Sequence, residues 1–578
     1  MPTLDVHLRD FEALLGRSVD ADSLDRLLLR VKGEVKAFDR NRDAVKIELA
    51  DSNRPDLWSV EGVARQIRIC AGGGDARPVY PFFDLPTERQ IIVAPEIAAV
   101  RPYLAACTVE GMVVTDAILA QMIQAQEKLA DLFGQKRKCV SIGLYRLSKI
   151  VFPVRYELAD PDQTRFVPLG FDRPMRLADI LARHPKGIAY AETLQGAARL
   201  PILRDATDAI LSFPPIINSR EIGEVQVGDD ALLVEVTGNH LQMVLLVLNI
   251  FACNLADRSG RIGAVDVCYP TETPFGKTIR TPCRFSEPIP VEIAAFERCL
   301  GDAITVEEAE NWLVRYGHAV EVKRTTLVVT PPPYRDDLLH PVDVIEDMAM
   351  SRGYDTFLPK MPETFTVGSL DAVEQLCDRV RDLLVGLGFQ EVMSNVLASR
   401  EEMVERMVGE ASDTPSATDR LEKVVVEIDN PMTDRYTLLR PSLLPSLMRV
   451  EGASAGATYP HHIFEIGEVA QQSADGRRAD TRLYLAAAFA APINADFSTL
   501  QKWLENVVAG LGLSIRLSPT THPTFIDGRV GAVLLLPEEE PIGVIGEIHP
   551  EVLTRWQIGM PTVAFEIALD PIIRACAK

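Results

Sequence analysis

The most apolar run of the chain, LLVEVTGNHLQMVLLVLNIF at residues 232–251, is broken in its middle by Thr237, Gly238, Asn239 and His240. A membrane-spanning helix needs about 20 predominantly apolar residues in a row, and no stretch reaches that. The run divides instead into a strand, ALLVEVTG, a tight turn at Gly238, and a helix, GNHLQMVLLVLNIFACNLAD. Both halves must bury apolar surface against other elements, so the chain folds around mixed strand-and-helix cores. Side chains alternate along a strand, which puts Glu235 and Thr237 on one face. A carboxylate and a hydroxyl within an otherwise apolar strand make a candidate pocket wall.

The rest of the chain alternates in the same way. Residues 1–85 read as an N-terminal α/β module. It has a helix over Asp10–Leu15 ended by Gly16, a second helix capped by Asp22, a strand VKIELA at 45–50, and a helix from about residue 56 to a Gly72–Gly74 stop. Residues 86–280 form an α+β domain with a strong helix, TDAILAQMIQAQEKLADLFG. A compact unit at 284–357 holds helices IPVEIAAFERCLG and TVEEAENWLVRYG, a strand TTLVVTPP, and a third helix ending at Gly353. Residues 358–578 are again α/β. They begin with the striped helix LDAVEQLCDRVRDLLVGLG, continue with strand-like runs at 391–398, 423–428, 462–470 and 482–490, include a polar loop at 411–420, and close with a last helix FSTLQKWLENVVAGLG and a strand pair. The fold class expected is α+β multidomain, with roughly three to five domains for a chain of this length.

The formal net charge is −22, from 60 Lys plus Arg against 82 Asp plus Glu. Such a chain repels polyphosphate on average, so RNA contact requires a local basic patch or a partner. GQKRKC at 134–139 is one short patch, and equally a solvated turn. Nine scattered cysteines with no CxxC pair fit neither zinc nor a disulfide framework, and suit a reducing, cytoplasmic setting. The N-terminus has no basic start followed by an apolar core.

Two further constellations carry chemistry. Asp343, Glu346 and Asp347 share one helix face by their spacing, and Asp337 lies six residues upstream of the first. Clustered carboxylates suit a divalent cation with oxygen ligands such as magnesium. They equally suit a solvated helix start favoured by the helix dipole. FPPIINS at 213–219 sets two prolines on a rigid extended turn, with Ser212 and Asn218 close by.

Seven segments, in order, resemble the beta subunit of phenylalanyl-tRNA synthetase, in its archaeal/eukaryotic form. They are NRPDLWSVEGVAR, FPPIINS, EVTGN, PYRDDLLHPVDVIEDMAMSRGY, NPMTDRYTLLRPSLLPSLM, FEIGEVA and GVIGEIHPEVLTRW. Bacterial-type beta subunits are longer, with an inserted oligonucleotide-binding domain and a C-terminal anticodon-binding domain for which this chain has no room. The resemblance implies an editing-type domain at 86–280, a small winged-helix-like module at 284–357, and a class II synthetase-like antiparallel-sheet domain without catalytic motifs at 358–578.

It also implies roles. Asp337, Asp343, Glu346 and Asp347 would bind a Mg2+ ion shared with a catalytic alpha subunit, in an alpha2-beta2 heterotetramer that uses ATP, phenylalanine and its tRNA. Leu203, Ser212, Glu235 and Thr237 would line a pocket that hydrolyses tyrosine wrongly attached to that tRNA. The pattern departs here in three places: Glu235 stands where Asp is usual, Asn239–His240 replaces Thr-Asp, and Leu144–Tyr145–Arg146 replaces the usual run after Gly143. One extra methylene moves a carboxylate by about 1.5 Å, enough to matter for a positioned group.

In the C-terminal domain, Arg440 occupies a position like that of the ATP-binding arginine of class II synthetases. No Arg-x-Glu follows, and GVIGEIHPE has no arginine to hold a triphosphate, so no aminoacylation site is expected on this chain. The histidines at 461, 462 and 549 lack metal-ligand spacing. Two other readings compete: a paralogue that acts alone in binding or trans-editing, which the altered pocket favours, and a DNA-binding protein, which the acid-rich helical unit disfavours.

Overall fold

The computed structural model describes residues 2–50, 53–72, 80–362, 364–408, 424–454, 456–473, 476–493 and 495–576. The polar loop expected at 411–420 and the Gly73–Gly74 part of the expected helix stop lie outside them. Two compact units divide the chain, Met1–Met361 and Pro362–Lys578.

The first unit opens with a three-stranded antiparallel sheet of Thr3–His7, Ala44–Leu49 and Gly33–Asp39, in that spatial order. Helix Leu8–Leu15 stops at Gly16, whose φ of 74° is a left-handed conformation that a residue without Cβ adopts freely. The next helix, Ala21–Leu28, is capped by Asp20 rather than by Asp22. Asp20 accepts from the Ser23 amide and completes a reciprocal box with that side chain, which leaves Asp22 inside the first turn.

The central element is a ten-stranded sheet. Strand Ala231–Gly238 is flanked on both sides by antiparallel neighbours, Tyr103–Glu110 and Val140–Arg146. Only Gln90–Val93 runs parallel to its neighbours, Val154–Ala159 and Arg261–Cys268. Helix Leu241–Asp257 is buried along almost its whole length, as its all-round apolar sequence demands. Helix Asp116–Lys128 carries Met122 and Ala125 inward and passes into a π turn at Leu129–Phe133.

The segment after residue 288 folds as three short antiparallel strands with helices Ile293–Leu300, Val306–Arg315 and Pro341–Arg352. The first four residues of the helix expected over IPVEIAAFERCLG are a strand, Ile289–Glu292. Its Val291 packs into the core, a period of two that competes with the helical one. Buried charge pairs knit the first unit, Met1–Met361, together. Arg258 grips Asp10 through two contacts of 2.8 Å and Glu61 through a third of 2.5 Å. Arg65 reaches Asp257 at 2.8 Å.

The second unit is built on a seven-stranded sheet, antiparallel except where Gln390–Glu391 joins His461–Gln472, with a small three-stranded sheet of Leu397–Ala398, Leu438–Leu439 and Val426–Glu427 beside it in the same unit. Alternation along Ala479–Ala490 sends Leu485, Ala487 and Phe489 to one face, against helices Ala372–Gly386 and Phe497–Gly510. Ala486 and Ala488 go to the other, against Leu444–Ala453. The strand-like run at 391–398 shrinks to two-residue pieces at its ends. Helix Phe497–Gly510 is not the last, since Pro550–Arg555 and Asp570–Cys576 follow it.

Candidate functional site

In the central sheet, Glu235 stands opposite Gly143 on one neighbour and Ala106 on the other, and Thr237 stands opposite Ser141. Register therefore places Glu235, Thr237, Ser141, Gly143 and Tyr145 on one face. Ser212 arrives from strand Ile210–Phe213, two sheet positions from Val154–Ala159, and pairs directly with Leu203. A pocket of about 250 Å3 opens here, lined among others by Ser212, Glu235, Gly143, Asn218, Arg137 and Pro214.

Of the four pocket residues expected from sequence, Ser212 and Glu235 line this space; Leu203 and Thr237 are fully buried beside it. Thr237 turns to Ser141, 3.0 Å away, and to the Nε of Arg101 at 3.1 Å. Arg101 is completely enclosed. It also donates to the Thr237 carbonyl at 2.6 Å and to the carbonyls of Arg137 and Lys138. It thereby staples the basic turn to the pocket wall. Gln135, Lys136 and Arg137 of that turn all have positive φ, 51°, 54° and 64°, a costly run for residues with side chains. Arg137 folds over the Tyr190 ring and donates to the carbonyls of Pro215 and Ile216, so this part of the patch builds the pocket rim.

Glu235 accepts a hydrogen bond of 2.7 Å from the Tyr145 phenol, which also lies 2.8 Å from the Ser212 hydroxyl. Its other oxygen, Oε1, is buried without a hydrogen-bond partner. Burial pushes the Glu235 carboxyl up to about 7, against the opposite pull of Tyr145, Arg101 and Thr237. A buried carboxyl poised near neutrality beside hydroxyls can accept or release a proton at an ester or water.

The four acids expected to share a cation are parted. Arg335 fills the space between two of them, donating to both oxygens of Asp337 at 2.9 and 2.6 Å and to Asp347 at 2.6 Å. Asp347 is also 2.8 Å from His318 Nε2. Burial alone would raise the Asp347 carboxyl, but Arg335 and His318 hold it well below the usual carboxylate range. Burial acts the same way on Asp337, and Arg335 again wins. Asp343 folds back onto the amides of Leu339 and His340 at the helix start, and Glu346 pairs with Lys32 at 2.7 Å. Among the described residues no group of three or more His, Cys, Asp or Glu is placed to hold a metal ion. This arrangement does not fit a cation shared by all four acids.

In the second unit Arg440 is buried against Glu465 at 2.7 Å and the Ser394 hydroxyl at 2.7 Å. Gly467 makes room for it: a Cβ there would lie 2.3 Å from its guanidinium. A cavity of about 1270 Å3 in this unit is lined by Ser442, Thr524, Arg482 and Glu566 among others. Glu566 accepts from the Ser442 hydroxyl and the Leu443 amide, and burial lifts its carboxyl to about 7. Sequence reasoning missed Tyr145, Arg101, Arg335 and Glu566 as site residues. Only Tyr145 left a signal, as a departure from an expected pattern.

Among the described residues no helix is long and apolar enough to cross a membrane. Residues 358–569 match the family described as phenylalanyl tRNA synthetase beta chain CLM domain, and residues 289–354 match the tRNA synthetase B5 domain. The phenylalanine–tRNA ligase beta subunit of Borrelia hermsii is 36% identical over 583 residues, covering 99% of this chain and 100% of that one. That of Treponema pallidum is 33% identical over 618 residues with the same coverage. A crystal structure of an N-terminal fragment of the phenylalanyl-tRNA synthetase beta subunit from Pyrococcus horikoshii superposes with a TM-score of 0.58 at 34% identity, covering 61% of this chain and 100% of the fragment.

Proposed function

Because the chain belongs to the phenylalanyl-tRNA synthetase beta-subunit family, we propose that it serves as the partner subunit without the aminoacylation site in a phenylalanine–tRNA ligase. The observation that carries this is the end-to-end match, 99% of this chain against 100% of a relative at 36% identity. Family membership implies an alpha partner, tRNA, ATP and Mg2+ for the complex, and a place in cytoplasmic protein synthesis. The alpha2-beta2 assembly is part of the proposal. So is the archaeal/eukaryotic kind of subunit, which the Pyrococcus fragment supports, although the two relatives named above are bacterial. The division into an N-terminal module, an editing-type domain, a winged-helix-like module and a class II-like sheet domain is supported by the order of elements along the chain.

The locked state of Arg440 supports a domain that does not grip ATP, since a guanidinium buried against Glu465 has no face left for a triphosphate. Arg335 already neutralises two of the acids Asp337, Asp343, Glu346 and Asp347, which argues against a magnesium ion held by all four.

A second activity has its own observation. The pocket bearing Ser212 and Glu235, with one carboxylate oxygen unengaged, suits hydrolysis of an aminoacyl ester. Water would give its hydroxyl to the acyl carbon and a proton to the ribose oxygen, releasing free amino acid and tRNA. Leu203 and Thr237 would support that pocket from behind, and tyrosine is the amino acid the resemblance implies.

Co-expression with the alpha subunit tests the main reading. A stable complex that charges tRNA with phenylalanine is expected, while the chain alone forms no phenylalanyl adenylate. Activation by the isolated chain would refute it.

A further inference from the structure

Strand Val140–Arg146 is an edge of the central sheet, paired with Ala231–Gly238 on one side alone. The far side of that neighbour fixes which of its amides face outward. The N–H and C=O of Leu104 both meet the Tyr269 phenol, and those of Ala106 both meet the Thr281 hydroxyl, so Leu104 and Ala106 turn away from Ala231–Gly238. A residue in an antiparallel pair bonds its partner through both groups or through neither. Ala105 and Cys107 therefore bond Val236 and Val234. Those two valines are spent on that side, which leaves Ile142 and Leu144, opposite them, pointing outward. Gln126 and Asn218 agree with this direction: they donate to the Ile142 and Leu144 carbonyls from outside the sheet, at 2.6 and 3.1 Å. All four residues line the pocket that holds Ser212 and Glu235. Among the described residues neither outward N–H meets an acceptor. A buried donor without an acceptor is costly, so this wall is set to receive an oxygen.

We propose that the Leu144 amide is the main-chain donor that receives the carbonyl oxygen of an ester bound in this pocket. This rests on the aminoacyl-ester reading of the pocket. The donor is indifferent to the amino acid, since every acyl group carries the same carbonyl. Position selects Leu144 over Ile142. The Glu235 carboxylate lies over residue 143, where a Cβ would be 2.5 Å from it, and the Leu144 nitrogen is two bonds from the Cα of that residue. The Ile142 nitrogen is two residues back, roughly 7 Å along the strand, too far to share one oxygen. Glu235 Oε1, which has no hydrogen-bond partner, supplies the base. The water oxygen bonds to the acyl carbon as one of its protons passes to Glu235. The carbonyl electron pair moves onto its oxygen, and the Leu144 N–H holds the charge that develops there. As the pair returns, the bond to the ribose oxygen breaks, and that oxygen takes the proton from Glu235.

The test uses the complex with the alpha subunit and compares Leu144→Pro with Leu144→Ala. Both lose the leucine side chain, and only proline loses the N–H. Proline is tolerated on an edge strand where that N–H faces outward. Hydrolysis is followed with whichever aminoacyl-tRNA of a panel the parent clears fastest. A donor that acts on developing charge lowers kcat and leaves KM nearly unchanged. Leu144→Pro is expected to show a kcat about 100-fold below that of Leu144→Ala, with Ile142→Pro close to the parent. Equal rates for the proline and alanine variants at position 144 overturn the proposal and leave the ester reading standing. An equal loss in Ile142→Pro overturns it too, because general damage to the edge would then account for the effect.

Hydrogen exchange on the parent complex is the second readout, and it carries the test if Leu144→Pro fails to assemble. The probe is 3′-alanylamino-3′-deoxyadenosine, an amide that keeps the carbonyl and resists hydrolysis. The inward amides of residues 141, 143 and 145 are already bonded across the sheet, so slowing over 140–146 reports the outward ones. Slower exchange there on binding the probe is expected. A parent that clears no aminoacyl-tRNA but shows this protection refutes the ester reading and supports the donor. A parent that shows no protection overturns the donor, whether or not it hydrolyses the ester.

Discussion

Replacing Arg335 by methionine is the sharpest probe of the acid cluster. Arg335 sits inside the protein with its Nε and Nη2 on Asp337 and its Nη1 on Asp347, at 2.6–2.9 Å. Methionine fills similar volume and supplies no charge. Asp337 then keeps only the more distant pull of Arg54, and Asp347 keeps His318. Removing one partner of a buried pair costs about 3–5 kcal/mol, because the remaining charge stays desolvated. The pH dependence carries the diagnosis. In the parent both carboxyls are held below their usual value. The stability they contribute is therefore present above the unfolded pKa and is lost as pH falls through the folded one. Without Arg335, burial dominates and raises both, so the charged forms oppose folding and stability recovers as pH falls. Urea unfolding followed by circular dichroism should show a large deficit at neutral pH that shrinks in mild acid. The vacated space should also admit a cation: millimolar Mg2+ is expected to restore part of the loss in Arg335→Met and to leave the isolated parent chain unchanged. A deficit below about 1 kcal/mol, the level of an exposed pair, or one independent of pH, would refute the reasoning.

Other substitutions test the pocket and the local structure. Glu235→Gln removes a carboxyl whose folded pKa, about 7, lies above the 4.5 of a free glutamate. The parent therefore loses stability as pH rises between those values, by an amount on the order of 3 kcal/mol. The variant's unfolding midpoint should be flatter over that window and higher above it. Gly143→Ala drives a methyl into the Tyr145 phenol and should lower stability by about 1–3 kcal/mol; a thermal midpoint equal to the parent's would show that the ring does not depend on this glycine. Thr305 caps helix Val306–Arg315 and forms a reciprocal box with Glu308, so Thr305→Ala should cost about 1 kcal/mol, visible as faster hydrogen exchange at the first turn of that helix.

What could be read from sequence was whatever is local. The helix stop at Gly16 and the alternation along Ala231–Gly238 depend on neighbours within four residues. Errors arose where two local signals competed. Asp20 and Asp22 can each cap a helix, and the Ser23 side chain, which completes the box only with Asp20, decides between them. Ile289 and Val291 fit a helix stripe as well as a strand, and pairing with Thr326–Thr330 settles it. The partners of Arg335 and Tyr145 were illegible for another reason. Arg335 sits two residues from Asp337, yet nothing in that spacing says the guanidinium points inward. The groups that hold Tyr145 are 67 and 90 residues away, and only a completed sheet brings them within reach.

Arg258 has a bearing on how this molecule can be taken apart. Its guanidinium, near the end of the long central helix, is neutralised by Asp10 and Glu61 from the opening segment. Clipping away the first 85 residues by protease or by gene truncation would strand that cation, along with Asp257, whose partner Arg65 is lost in the same cut. A library of shortened chains should therefore show an abrupt loss of soluble product rather than a graded one. Anyone seeking a minimal stable fragment would do better to keep the opening segment and trim elsewhere.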